Sequence, residues 1–299
     1  MRWTIEPGLC PRGTTRPPGD KSIAHRTLLL AVIAAGESRI SNLPAGADVA
    51  STASCLRQMG CDVSLDAGHA HVHGRGLHGL RAPSGVLDCG NSGTTMRLLA
   101  GILAGQSFVA TLDGDASLRC RPMERVVEPL RMMGATIETA GGHAPVSISG
   151  GDLRGITYDT PVASAQIKSC VLLAGLYATG ATIVREHRPS RDHTERLLHA
   201  MGVEISGGAA SGGTTLRPPE RLAPLVGAVP GDISSAAFWL VAAALTPRAD
   251  LTLEYVGINP GRVAIVELLQ SWGADIEVAD GPDWYGEPTA TLRVRGTRQ

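Results

Sequence analysis

Three short segments of the sequence concentrate side chains able to do chemistry. Pro18-Gly19-Asp20-Lys21-Ser22-Ile23-Ala24-His25-Arg26 sets a lysine, a serine and an arginine at the head of an apolar run. Asp88-Cys89-Gly90-Asn91-Ser92-Gly93-Thr94-Thr95-Met96-Arg97 is a turn of small residues ahead of a second such run, and Arg119-Cys120-Arg121-Pro122-Met123-Glu124-Arg125 places three arginines about a proline. The chemistry these types suggest is anion binding. An ammonium at the start of a buried helix is unfavourable unless it meets an anion, and a turn of small residues lets a ligand reach backbone N–H groups. Each segment also has a plainer reading: Lys21 reaching to solvent, Arg97 and Arg125 in surface ion pairs, Gly93 as a turn residue. Their coincidence at equivalent places along the chain favours the anion site.

The elements that must position these residues repeat. One helix ending occurs four times, as Leu56-Arg57-Gln58-Met59-Gly60, Leu130-Arg131-Met132-Met133-Gly134, Leu198-His199-Ala200-Met201-Gly202 and Leu269-Gln270-Ser271-Trp272-Gly273. The glycines are 74, 68 and 71 residues apart, and each suits a left-handed position closing a helix. A second helix class, apolar on most of its circumference, recurs in phase and opens at Asp20, Asn91, Ser164 and Asp232, all N-capping residue types. Strand-like runs follow, such as Phe108–Leu112, Ala181–Val184 and Leu251–Val256, with hairpin-like pairs after the closing glycines. The predicted unit is βαβαββ. Gly- or Pro-rich approaches precede each buried helix (Pro17-Pro18-Gly19, Cys89-Gly90, Pro161-Val162, Pro230-Gly231), so related packing would bring unpaired N–H groups and helix dipoles to one side.

Composition narrows the function classes. The 299 residues are 43% hydrophobic, 18% charged and 3% aromatic, enough for a large core in one or two domains, and the net charge of −1 provides no global field for nucleic acid or an anionic membrane. The longest apolar runs, such as Ala236–Leu245, are too short to span a bilayer, and Met1-Arg2-Trp3-Thr4 lacks the apolar core of an export signal, so a soluble cytoplasmic protein is expected. The six cysteines form no C-x-x-C pair and read as mostly small core residues. Only Lys21 and Lys168 are lysines, so each deserves a physical account. His69, His71 and His73 alternate along a predicted strand and share one face; exposure on a hairpin is the simpler reading, a transition-metal site the alternative.

Taken in order, PGDKSIAHR at 18–26, GNSGTTMRLLAG at 90–101, RPMERVVEPLRMMGA at 121–135, ASAQIKS at 163–169, SRDHTERLL at 190–198 and PGDISSAA at 230–237 resemble the 5-enolpyruvylshikimate-3-phosphate (EPSP) synthase family, the 3-phosphoshikimate 1-carboxyvinyltransferases. The resemblance implies an inside-out α/β barrel fold of six βαβαββ units in two domains, four of which are present here. It implies residues 18–226 as the first domain, with 1–17 and 227–299 as part of the second. The implied reaction moves the enolpyruvyl group of phosphoenolpyruvate to the 5-hydroxyl of shikimate-3-phosphate in aromatic amino acid biosynthesis, without metal or organic cofactor, at the target site of glyphosate. By the same resemblance Lys21 is catalytic and touches both substrates. Ser22, Arg26, Ser164, Gln166 and Ser190 hold shikimate-3-phosphate, and Gly93, Arg121 and Gln166 contact phosphoenolpyruvate. Neither nucleic acid nor membrane is an expected partner.

The departures matter as much. About two units, roughly 140 residues at this repeat length, have no counterpart, and with them go the family's acidic proton-transfer residues. Impaired turnover is therefore expected, with a non-catalytic shikimate-3-phosphate-binding module as the alternative. Asp48, Asp115, Asp192 and Asp232 lie near helix starts, where capping is the expected role. Ala24 stands where the family usually has serine. A single unit in the second domain leaves apolar faces such as those of Phe238, Leu240 and Val241 without cover, which predicts repacking, self-association or recruitment of a missing portion. The sister UDP-N-acetylglucosamine enolpyruvyl transferases carry a reactive cysteine in the Arg-Pro loop, but five residues ahead of the Arg121-Pro122 pair, where this chain has Ala116, and not at the position of Cys120. The KSxxxR and SRDHTER patterns side with EPSP synthases.

Overall fold

The structure, a computed structural model, describes residues 10–208 and 211–296. Met1-Arg2-Trp3-Thr4, on which the export-signal reading rests, and the first half of the 1–17 segment lie outside the described residues. Cα packing divides the chain into two bodies, one of Lys21–Val229 and the other joining the segment that ends at Asp20 to the residues from Pro230 onward.

In the larger body three units each build a four-stranded sheet. The first comprises α1 (Lys21–Ile33), β2 (Ala35–Ser41), α2 (Ala47–Gln58), β3 (Asp62–Asp66) and β4 (His69–Arg75), with β13 (Val226–Ala228) arriving from far along the chain, in the order β13-β2-β4-β3. The second comprises β5 (Leu87–Asp88), α3 (Gly93–Ala104), β6 (Val109–Asp113), α4 (Ala116–Arg119), α5 (Glu124–Met133), β7 (Thr136–Ala140) and β8 (His143–Ser149), ordered β5-β6-β8-β7. The third comprises β9 (Thr157–Asp159), α6 (Ala165–Gly175), β10 (Thr182–Arg185), α7 (His193–Ala200), β11 (Ile205–Gly208) and β12 (Gly213–Leu216), ordered β9-β10-β12-β11. The smaller body repeats the pattern once, from β1 (Arg12–Thr15), α8 (Ile233–Leu245), β14 (Asp250–Gly257), α9 (Ala264–Ser271), β15 (Asp275–Asp280) and β16 (Thr289–Arg295), ordered β1-β14-β16-β15. In every sheet the leading strand runs parallel to its neighbour and the last two pair antiparallel.

Local chemistry explains the elements. Gly60, Gly134, Gly202 and Gly273 all close helices at φ +76°, +116°, +91° and +90°, a conformation an L side chain rarely adopts. Helix α1 is buried from Ile23 to Ile33, and α3 and α6 are nearly as enclosed, so their sequences carry no polar face. Helix α3 packs on α1 and α6, and a Cβ on Gly101 would stand 2.3 Å from the carbonyl oxygen of Cys170, so the α3 and α6 backbones meet there.

Capping differs in part from expectation. Ser164 and Asp232 cap α6 and α8, accepting from the backbone N–H of Ile167 (3.4 Å) and Ser234 (2.8 Å), and Asp115 caps α4 through Leu118 N–H at 2.7 Å. Helix α3 is capped by Ser92, which accepts from Thr95 N–H, while the Asn91 amide donates to Asp115. Asp48 and Asp192 make no side-chain cap: Asp48 accepts from Lys21, and Asp192 pairs with Arg196 at 2.8 Å.

Cys55, Cys61, Cys89 and Cys170 are buried, Cys10 is partly so, and Cys120 is exposed. In the smaller body Leu240 is not uncovered as expected. With Ala236 and Ala243 it forms the inner face of α8, in one core with Leu251, Leu253 and Leu292, and Val241 packs against that core. Elsewhere on α8 Phe238 is 80% exposed, and at the end of α9 Trp272 is 75% exposed. Among the described residues no helix is long and apolar enough to cross a membrane.

Candidate active site

The first turns of the buried helices are wired together. Lys21 opens α1, and its Nζ donates to Asp48 Oδ2 at 2.7 Å in the first turn of α2, with about half of the lysine side chain left open to solvent. Thr95, in the first turn of α3, lies 2.7 Å from both Ser92 Oγ and Thr52 Oγ1, and Thr52 lies 2.7 Å from His25 Nδ1 on α1. Three helix starts with their positive dipole ends are therefore locked side by side. Apart from the Thr95–Ser92 contact, these bonds join residues 27 to 43 positions apart, which is why local pattern does not reveal them.

Beside them is a cradle of guanidinium groups. A Cβ on Gly93 would lie 3.2 Å from Nη1 of Arg97 and 3.2 Å from Nη1 of Arg121, so glycine keeps the space between two cations open. Arg97 is no surface ion pair: it donates to Gln166 Oε1 at 2.7 Å and to the Pro122 carbonyl at 3.1 Å, both neutral acceptors. Burial first, and then the charges of Arg121 and Arg125, lower its pKa from the ordinary value. Arg121 is held by Asn91 Oδ1 at 2.7 Å. Because Arg97 can only donate, the Gln166 carboxamide is oriented with its oxygen inward and its nitrogen on Thr94 Oγ1 at 3.0 Å. Like charges held this close favour an anion among them.

The remaining residues singled out from sequence lie around α1, α6 and α7. Arg26 is buried, and its guanidinium donates to Thr194 Oγ1 (2.7 Å), Ser169 Oγ (2.7 Å) and the Ser22 carbonyl (2.9 Å). Ser22 Oγ accepts from Arg191 Nη1 at 3.1 Å. Ser164 is the α6 cap described above, and Ser190 lies in the loop before α7 with its Oγ buried and without a hydrogen-bond partner among the described residues. Sequence reasoning did not assign Arg97, Arg191 or Thr194 a role. For Arg97 the available signal was an arginine in the first two turns of a helix otherwise apolar all round, the same feature that singled out Lys21; Arg191 and Thr194 carry no such local signal.

The second lysine has a different setting. Lys168 Nζ sits 2.7 Å from Glu186 and 2.7 Å from Glu195, with only 4% of its side chain exposed. As for a metal, His69, His71 and His73 do share the exposed face of β4, yet His71 Nε2 contacts Glu37 Oε1 at 2.6 Å, and the ligand atoms of the three do not gather.

The comparisons with known proteins come to one family. The model of the EPSP synthase (3-phosphoshikimate 1-carboxyvinyltransferase) family matches residues 9–297. The 3-phosphoshikimate 1-carboxyvinyltransferase of Alkalilimnicola ehrlichii is 52% identical over 302 residues, covering 99% of this chain and 66% of that protein. That of Geobacter sp. strain M21 is 48% identical, covering 99% and 69%. The solved EPSP synthase of Acinetobacter baumannii superposes with a TM-score of 0.91 at 46% identity, over 96% of this chain and 65% of that one. The chain thus spans about two thirds of the length of these relatives. Repeated βαβαββ sheets with buried helices, a superposition of that quality and a match along nearly every residue place the chain in the EPSP synthase family, with the enolpyruvyl transferase fold.

Proposed function

We propose that the chain takes part in transfer of the enolpyruvyl group of phosphoenolpyruvate to the 5-hydroxyl of shikimate-3-phosphate, giving EPSP and inorganic phosphate. The observation that carries this reading is the Gly93 cradle, where two guanidinium nitrogens stand 3.2 Å from a position that only hydrogen fills. Phosphoenolpyruvate, with a carboxylate and a phosphate, suits that space, with Lys21, Arg121 and Gln166 as further contacts. Shikimate-3-phosphate is assigned to Lys21, Ser22, Arg26, Ser164, Gln166 and Ser190. Support comes from the bonds that group the helix starts bearing Lys21, Ser22, Arg26 and Gln166, and from the unpartnered Ser190 hydroxyl.

In the reaction, the 5-hydroxyl oxygen bonds to C2 of phosphoenolpyruvate, its proton passes to a base, and C3 takes up a proton. The tetrahedral intermediate then loses a C3 proton as phosphate leaves and the double bond re-forms. The cations hold charge in place through both steps and fix the hydroxyl over C2. Lys21, the ammonium at the start of α1 with about half of its side chain open to solvent, is the residue to which we assign direct participation. Residues 18–226 form the first family domain in this reading, 1–17 and 227–299 belong to the second, and the cytoplasm is the site of action. Self-association through exposed apolar side chains of the smaller body, Phe238 on α8 and Trp272 at the end of α9, is the remaining element, read by light scattering.

Titration calorimetry with shikimate-3-phosphate, followed by phosphoenolpyruvate and a phosphate-release assay, tests the proposal. Heat on both additions with phosphate released supports it. Heat from shikimate-3-phosphate alone, without release, would reduce the chain to a binding module, and no heat from either ligand overturns the reading.

A further inference from the structure

Lys168 is conspicuous in a chain with 25 arginines and two lysines, and the proposed chemistry gives it no part. It projects from α6 into a buried space between two carboxylates. Glu186 is the first residue after β10, and Glu195 lies in the first turn of α7. Between them runs loop 186–192, which carries Ser190 and Arg191, and Arg191 reaches Ser22 Oγ at 3.1 Å. A compact ammonium with rotatable donors can serve two carboxylates at once in a small dry site, whereas a planar guanidinium demands more room. The second oxygens, Glu186 Oε1 and Glu195 Oε2, are buried without partners among the described residues, so the ammonium is the charge that both carboxyls share.

We propose that Lys168 is a positioning residue: its ammonium clamps the start of loop 186–192 to the start of α7 and so holds Ser190 and Arg191 against Ser22 on α1. For its ligand this rests on the shikimate-3-phosphate reading; the clamp itself does not. Without the ammonium, two buried carboxylates face each other with Asp192 close enough to Glu195 to oppose its ionisation further. They must separate or take up a proton, and the loop moves with them.

Hydrogen exchange over residues 186–192 tests the clamp without any ligand. Exchange is expected to quicken by about tenfold or more in Lys168→Met, and also in Glu186→Ala, which leaves a one-to-one Lys168–Glu195 pair and so a milder change to the fold. Protection in α3 is expected to stay as in the wild type. In calorimetry the ratio of variant to wild-type Kd for shikimate-3-phosphate is expected to reach about ten for Lys168→Met at pH 8 and to shrink on acidification, as Glu195, whose pKa burial raises, takes up a proton. For Glu186→Ala it is expected to be smaller and independent of pH. A residue that only stabilised the fold would leave that ratio flat. Unchanged loop exchange in both variants, or a Lys168→Met ratio below two at pH 8, overturns the proposal. Faster loop exchange in a protein whose wild type gives no heat with shikimate-3-phosphate would keep the clamp and remove the ligand reading instead.

Discussion

Arg97 Nη1 donates to Gln166 Oε1 across 2.7 Å, and that bond ties the start of α3 to the start of α6 over 69 positions of sequence. Replacing Gln166 by methionine keeps the bulk and removes the acceptor, leaving a partly buried guanidinium beside Arg121 and Arg125 with the Pro122 carbonyl as its remaining partner. The expected loss is about 1–3 kcal/mol of stability, read by urea unfolding, together with weaker phosphoenolpyruvate binding.

Gly93→Ala would put a methyl group 3.2 Å from each of two guanidinium nitrogens. The arginines can give a few tenths of an ångström, so the fold should persist while the space between them narrows. Calorimetry is expected to show phosphoenolpyruvate weakened by about tenfold, near 1.4 kcal/mol, with shikimate-3-phosphate little changed. Equal loss for both ligands would place the cradle outside the phosphoenolpyruvate site.

Gly101→Ala should behave in the opposite way. Its Cβ would meet backbone, the Cys170 carbonyl oxygen at 2.3 Å, and neither α3 nor α6 has free space to retreat into. A cost of about 3 kcal/mol or more is expected, seen as a lower midpoint in urea or as insoluble expression, whichever ligand is present.

Acid should expose another pair. Arg119 holds Asp113 through Nε at 2.9 Å and Nη2 at 2.5 Å, and this contact lowers the Asp113 pKa from its ordinary 3.8. A lowered carboxylate contributes stability above its unfolded pKa and loses it as pH falls through the folded one. The stability gap between wild type and Arg119→Met is therefore expected to be open at pH 6 and to close as pH falls below the ordinary 3.8 through the lowered folded-state pKa, in urea titrations across that range. A gap that widened on acidification would refute the assignment.

The repeat was legible because its markers are local. A glycine forced to positive φ and a helix apolar on all sides each betray their structure within one turn, and all four closing glycines adopt the left-handed conformation. The cap of α3 was misplaced by one residue because Asn91 and Ser92 are both good caps, and the choice depended on Asp115 and Arg121 drawing Asn91 away. Local sequence favours a cap at Asp48, since its partner, Lys21, is 27 residues distant. Arg97 and Lys168 were the harder cases. Their side chains are of types usually found at the surface, and only tertiary packing reveals that one faces a carboxamide and the other two buried carboxylates. That Leu240 lies inside and not uncovered is not legible, because the sequence shows that α8 is apolar all round without showing which side meets β14.

The parallel pairing of β13 with β2 joins Val226 to Arg39 and Ala228 to Ser41, nearly 190 residues upstream. During synthesis the first unit must therefore leave the ribosome with its β2 edge unfilled, and it waits while the next two units emerge. Until residue 228 is free of the exit tunnel, that open margin is available to any other extended peptide, so folding of this body cannot finish in the order in which it is made. Slowing translation beyond the third unit would prolong that exposure, and chaperone demand should peak there rather than at the start of the chain.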